Sequence, residues 1–92
     1  MKTMSWHVQV NNKAAKNALK LPKQVQVLFK TLLVDLAVSG PVQHEWPNYS
    51  KLIKGRYHCH LNYGNVVVWI EFNKELKIIE VIYVGSRENA PY

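Results

Sequence analysis

The chain has 92 residues, with twelve Lys and Arg against six Asp and Glu, a net charge of +6. That length suits a single domain, residues 1–92, with a modest core; a hydrophobic content of 48% with three Trp and five Tyr excludes a disordered chain. The lone cysteine, Cys59, excludes a disulfide framework and fits a reducing cytoplasm; no apolar run reads as a secretory signal or a membrane span, and the basic excess favours an anionic partner.

Trp6 to Val10 alternates apolar and polar residues, which predicts a short first strand. Asn11 and Asn12 offer side-chain caps to a helix starting near Lys13 and carrying Ala14, Ala15, Ala18 and Leu19. Leu21-Pro22 ends that helix and opens a second, from Pro22 or Lys23 to Val38. Val25, Leu28, Phe29, Leu32, Leu33 and Leu36 keep the helical rhythm, so this stripe is expected in the core. Gly40-Pro41 stops the helix, and residues 41–55 read as a loop in which Trp46 and Tyr49 act as anchors.

Three strand-like runs follow: 56–62, 66–72 and 76–84. Their short connections imply an antiparallel meander. The predicted fold class is α+β in the order β-α-α-β-β-β, two N-terminal helices packed on a small, mainly antiparallel sheet.

The segment Tyr57-His58-Cys59-His60-Leu61 is the most informative. On a strand, His58 and His60 share one face, roughly 7 Å apart, while Tyr57, Cys59 and Leu61 point to the core. Imidazole titrates near neutrality, so one copy can accept a proton while a second donates one. Cleavage of RNA by its own 2′-hydroxyl needs that division of labour, together with positive charge on the phosphate. Arg87 supplies a permanent bidentate cation and Tyr92 a phenol that acts as an acid or stacks on a base. Lys51, Lys54 and Arg56 flank the pair and are candidates for RNA binding.

Blander readings stand beside these. The two His are a half-exposed strand surface, or two ligands of an ion that lacks a third ligand, since His7 and His44 are distant in sequence and Cys59 faces away. Arg87 pairs with Glu80 or Glu88, or Glu88 orients Arg87. Tyr92 is a frayed end. Lys13, Lys16, Lys20, Lys23 and Lys30 form a solvated helix face or touch ribosomal RNA. No Gly-rich phosphate loop is present, so no nucleotide cofactor is expected, nor any metal.

The helix pair ending Val38-Ser39-Gly40-Pro41, the loop Trp46-Pro47-Asn48-Tyr49-Ser50-Lys51-Leu52, the strand Tyr57-His58-Cys59-His60-Leu61 and the ending Val81-Ile82-Tyr83-Val84-Gly85-Ser86-Arg87-Glu88 together resemble the RelE/ParE superfamily of type II toxin–antitoxin toxins, on its RelE and HigB side. The resemblance spans nearly the whole chain. It implies a cytoplasmic, ribosome-dependent mRNA endonuclease that uses the RNA 2′-hydroxyl without a metal or cofactor. Its implied partners are an acidic antitoxin and the ribosome with its mRNA, with no membrane involved. Many such toxins carry Lys or Arg where this chain has His58 and His60, and a further basic residue where it has Val66 or Val67, so any chemistry here is histidine-based. A ParE-like gyrase inhibitor that acts by binding alone and a catalytically inactive antitoxin-binding relative are the alternatives.

Overall fold

The computed structural model describes residues 5–91, leaving Tyr92 outside the described residues. Strand β1 (His7–Val10) leads into α1 (Asn12–Leu19), and Asn11 caps that helix by accepting the Ala14 N–H at 2.8 Å. Helix α2 (Lys23–Ser39) ends at Gly40, which adopts φ 87° and ψ −166°, backbone angles open essentially to glycine alone. A Cβ there would lie 2.7 Å from Trp6 Nε1, so the same glycine lets the chain entering β1 pack against the helix end.

The predicted loop 41–55 carries structure of its own. It contains β2 (Ser50–Lys51) and a 3₁₀ turn, Ile53–Gly55. Gln43 is buried and donates to the carbonyls of Asp35 and Gly40. Trp46 Nε1 donates to Asp35 Oδ2 at 2.8 Å, and the Tyr49 ring lies nearly parallel to those of Tyr57 and Trp69. Both aromatics are therefore anchors, as expected, each partly buried against the core.

Strands β3 (Arg56–His60), β4 (Asn65–Asn73) and β5 (Ile78–Ser86) form the expected meander, followed by a 3₁₀ turn, Arg87–Asn89. The last strand lies two residues later than its alternation suggested, because Lys74–Lys77 are used in the turn and Lys77 takes a left-handed φ of 53°. The sheet order is β1-β5-β4-β3-β2, with β1 parallel to β5 and every other pair antiparallel. Both helices cover one face, where Ala14, Val25, Phe29, Leu32 and Leu36 meet Tyr57, Cys59, Val67, Trp69, Ile79, Val81 and Val84. The buried stripe of α2 is narrower than predicted: Leu28 sits on its flank, 38% exposed. No described helix is long and apolar enough to cross a membrane.

One irregularity decides what the other face presents. Val68 pairs with Tyr83 but Trp69 pairs with Val81, so Ile82 is an extra residue on β5. Before this bulge Ile79 and Val81 face the helices; after it Val84 does. Tyr83 and Gly85 are thereby turned to the face opposite the helices.

Candidate active site

Strand β3 buries alternate residues: Tyr57 and Cys59 are buried, and Arg56, His58 and His60 lie half-buried on the opposite face. The imidazole centroids are 5.7 Å apart, with ring planes at 62°. Register places Ser50, Val68 and Tyr83 in line with His58, and Val66 and Gly85 in line with His60. Each imidazole has a neighbour from the preceding loop. Ser50 Oγ lies 3.0 Å from His58 Nδ1, and Asn48 Nδ2 lies 3.3 Å from His60 Nδ1. An amide N–H only donates, so in this contact His60 Nδ1 is the acceptor. The loop is itself tied to the strand, since the His60 backbone N–H donates to the Pro47 carbonyl at 2.8 Å. Asn48 takes a left-handed φ of 54°, which asparagine tolerates better than most residues.

The electrostatics separate the two rings. Burial holds the His58 pKa below its usual value, the nearby His60 lowers it further, and Ser50 opposes the shift. His58 is thus biased to the neutral, proton-accepting form at pH 7. Burial alone pushes the Cys59 thiol up to about 12, which leaves it a small core residue and no nucleophile.

The cations occupy both ends of the strand. Arg56 shares the outward face of His58, and its Nη1 donates to the Pro91 carbonyl at 2.8 Å. Lys54 sits in the adjoining turn with a left-handed φ of 61°. Lys51 pairs with Tyr57 and so lies on that residue's side of the sheet, its ammonium 5.8 Å from the Tyr57 ring; it and Arg56 line one cleft at the sheet edge. Arg87 stands at the His60 end, where its N–H donates to the Gly64 carbonyl and its guanidinium stacks 5.1 Å over the Tyr63 ring. Of the two carboxylates offered as alternative partners for Arg87, Glu80 accepts from the Gln9 amide at 2.6 Å.

Asn48 and Ser50 are site residues that the sequence did not reveal, and both depend on β2 folding back on β3. Tyr83, turned by the bulge, lines a separate groove beside Asn17, Lys20, Leu21 and Pro22. Its hydroxyl donates to the Ser86 carbonyl at 2.6 Å, laying the ring over Gly85, where a Cβ would meet the phenol oxygen at 2.9 Å. The two imidazoles could offer nitrogens to an ion, but among the described residues no group of three His, Cys, Asp or Glu gathers to hold one.

No protein-family model and no curated protein matches the chain. Solved structures do. An E. coli RelE toxin variant in the free state is 23% identical with a TM-score of 0.74, covering 95% of this chain and 88% of its own. RelE from the archaeal RelE–RelB complex of Pyrococcus horikoshii is 23% identical at a TM-score of 0.79, covering 95% and 100%. The YoeB–YefM complex from Staphylococcus aureus gives 14% identity and a TM-score of 0.70, covering 89% and 97%. The chain thus has the fold seen in these RelE and YoeB toxins.

Proposed function

We propose that this protein is the toxin of a toxin–antitoxin pair and an endoribonuclease that cuts mRNA on the ribosome in the cytoplasm. The observation that carries this reading is the pair of imidazoles on one outward face of a RelE-like sheet, 5.7 Å apart, one of them biased to the neutral form. His58 takes the proton of the 2′-hydroxyl, whose oxygen attacks the adjacent phosphorus. His60 delivers a proton to the departing 5′-oxygen. The 2′,3′-cyclic phosphate and the 5′-hydroxyl are the products, and no metal enters the scheme. Arg87 carries the charge that builds on the scissile phosphate, Lys51, Lys54 and Arg56 hold the flanking RNA, and Tyr92 is a further candidate for stacking or proton donation. The partner that silences the site is an acidic antitoxin; the RelE–RelB and YoeB–YefM complexes of the same fold support a protein partner of this kind.

The test is induced expression with mapping of mRNA ends, wild type beside His58→Ala, His60→Ala and Arg87→Ala. Wild type is expected to arrest growth and to leave cuts in translated mRNA, and each His variant to lose ~10²–10⁴-fold in cleavage rate. Coexpression of the neighbouring small acidic gene product should restore growth. Growth arrest that survives all three substitutions with no cuts would replace this reading with a binding-only, ParE-like toxin.

A further inference from the structure

Next to Arg56 the chain forms an open cleft of about 570 Å³, lined by Lys51, Leu52, Ile53, Lys54, Arg56 and Pro91. Its walls combine three cations with an apolar surface, and among the described residues no carboxylate lines it. Ile53 is 81% exposed, at the tip of the 3₁₀ turn. The turn that presents it is not relaxed backbone: Lys54 and Gly55 both take positive φ, 61° and 71°. The Leu52 N–H donates to the Arg56 carbonyl at 2.6 Å, which closes the turn on itself. Nothing in the helix-side core requires an isoleucine in that place.

The cleft adjoins the His face. Arg56 and His58 are two residues apart on one strand, so their side chains leave the sheet in the same direction roughly 7 Å apart. The Pro91 carbonyl holds the Arg56 guanidinium at the cleft mouth through one nitrogen, and the rest of the fork suits a phosphate oxygen. An apolar plate with cations around it matches a nucleotide, whose base offers a flat apolar face and whose phosphate is anionic. An acidic peptide would use the cations but leave Ile53 and Pro91 unmatched.

The geometry points to this cleft as the subsite for the nucleotide next to the scissile phosphate on the His58 side, with its base against Ile53 and Pro91 and its 5′-phosphate on Arg56 and Lys54. The inference rests on the nuclease reading for the position of the scissile bond. With His58 serving the 2′-hydroxyl, the subsite holds the nucleotide immediately 5′ of the cut, so base preference at that position is set here.

The experiment pairs a binding assay with a cleavage map. The full chain is titrated with a 2′-O-methyl tetranucleotide, which cannot be cut, and followed by backbone amide shifts, for wild type, Ile53→Ser and His58→Ala. Ile53 is exposed, so its serine variant should fold; an unchanged melting temperature checks that. Expected are shifts that include residues 51–56 and run on to the His pair at 58 and 60, about tenfold weaker binding by Ile53→Ser, and a smaller loss by His58→Ala, which leaves the cleft itself intact. In the cleavage map, Ile53→Ser should flatten base preference immediately 5′ of the cut and leave the 3′ position unchanged. An absence of shifts at 51–56, equal affinity of Ile53→Ser, binding of polyglutamate but not of the oligonucleotide, or loss of preference on the 3′ side would each overturn it. If the tetranucleotide binds in the cleft and wild type leaves no cuts, the cleft stands as a nucleotide site and only the nuclease reading falls.

Discussion

Gly40 and His58 each convert a local constraint into something measurable. Gly40 combines a backbone region closed to other residues with a wall, the Trp6 indole, where a side chain would begin. Gly40→Ala therefore meets strain and overlap together, and strain of this kind alone costs about 1–3 kcal/mol. In a small domain that is a large share of total stability. A urea melt should show a midpoint well below wild type with an unchanged slope; a midpoint equal to wild type would mean that the indole moves aside freely. His58 makes a pH prediction. Its folded pKa lies below the usual 6.5, so between those two values the unfolded chain binds more protons. Stability should thus rise with pH through that window and level off above pH 6.5. His58→Gln should lose this rise below pH 6.5; an identical rise in both proteins would place its origin in other groups.

At the scale of elements, the buried pairing of α2, its C-terminal turn and β4 depends on Trp69, whose indole N–H donates to the Pro41 carbonyl at 3.0 Å inside the core. Trp69→Phe keeps an aromatic there but leaves that carbonyl without this donor. Unsatisfied buried groups cost about 1–3 kcal/mol, so calorimetry should record a clear drop in Tm. Cleavage at a temperature below the transition should survive, because the His pair lies on the other face. Much of this architecture was legible in the sequence for a simple reason. The helix caps at Asn11 and Gly40, the α2 stripe and the alternation of Tyr57 through Leu61 are local signals, each set by residues within one turn or one pleat. What escaped was non-local. The pairing of Ser50 with His58 brings together residues from a loop and a strand that carry no shared pattern. The bulge at Ile82 reverses the apparent alternation of β5: from sequence, Tyr83 continues the inward series of Ile79 and Val81, and only the register with Val68 reveals that it faces outward. Leu28 shows the opposite failure, where a correct helical rhythm overstated the width of the contact with the sheet.

For the whole molecule, net charge is less informative than where opposite charges have been spent. Of the six carboxylates, Asp35, Glu71 and Glu80 each accept a hydrogen bond from a neutral side chain, Trp46, Tyr57 and Gln9 respectively. They hold loop and sheet together. Among the described residues no carboxylate lines the cleft, so Lys51, Lys54 and Arg56 present their charge to whatever enters. If they hold a single-stranded RNA by its phosphates, affinity must fall with salt, by about 0.7 in log K per log unit of salt for each phosphate neutralised. Two or three contacts predict a slope of about −1.4 to −2.1 for the tetranucleotide. Charge and stacking can then be told apart in one series. Arg56→Gln should weaken binding and also flatten the slope by about 0.7, because one ion pair is gone. Ile53→Ser should weaken binding by a similar factor at every salt concentration, leaving the slope of wild type, because an apolar contact releases no counterions. A slope that stays unchanged in Arg56→Gln would remove the phosphate from Arg56 and leave that guanidinium as a strut for the Pro91 carbonyl.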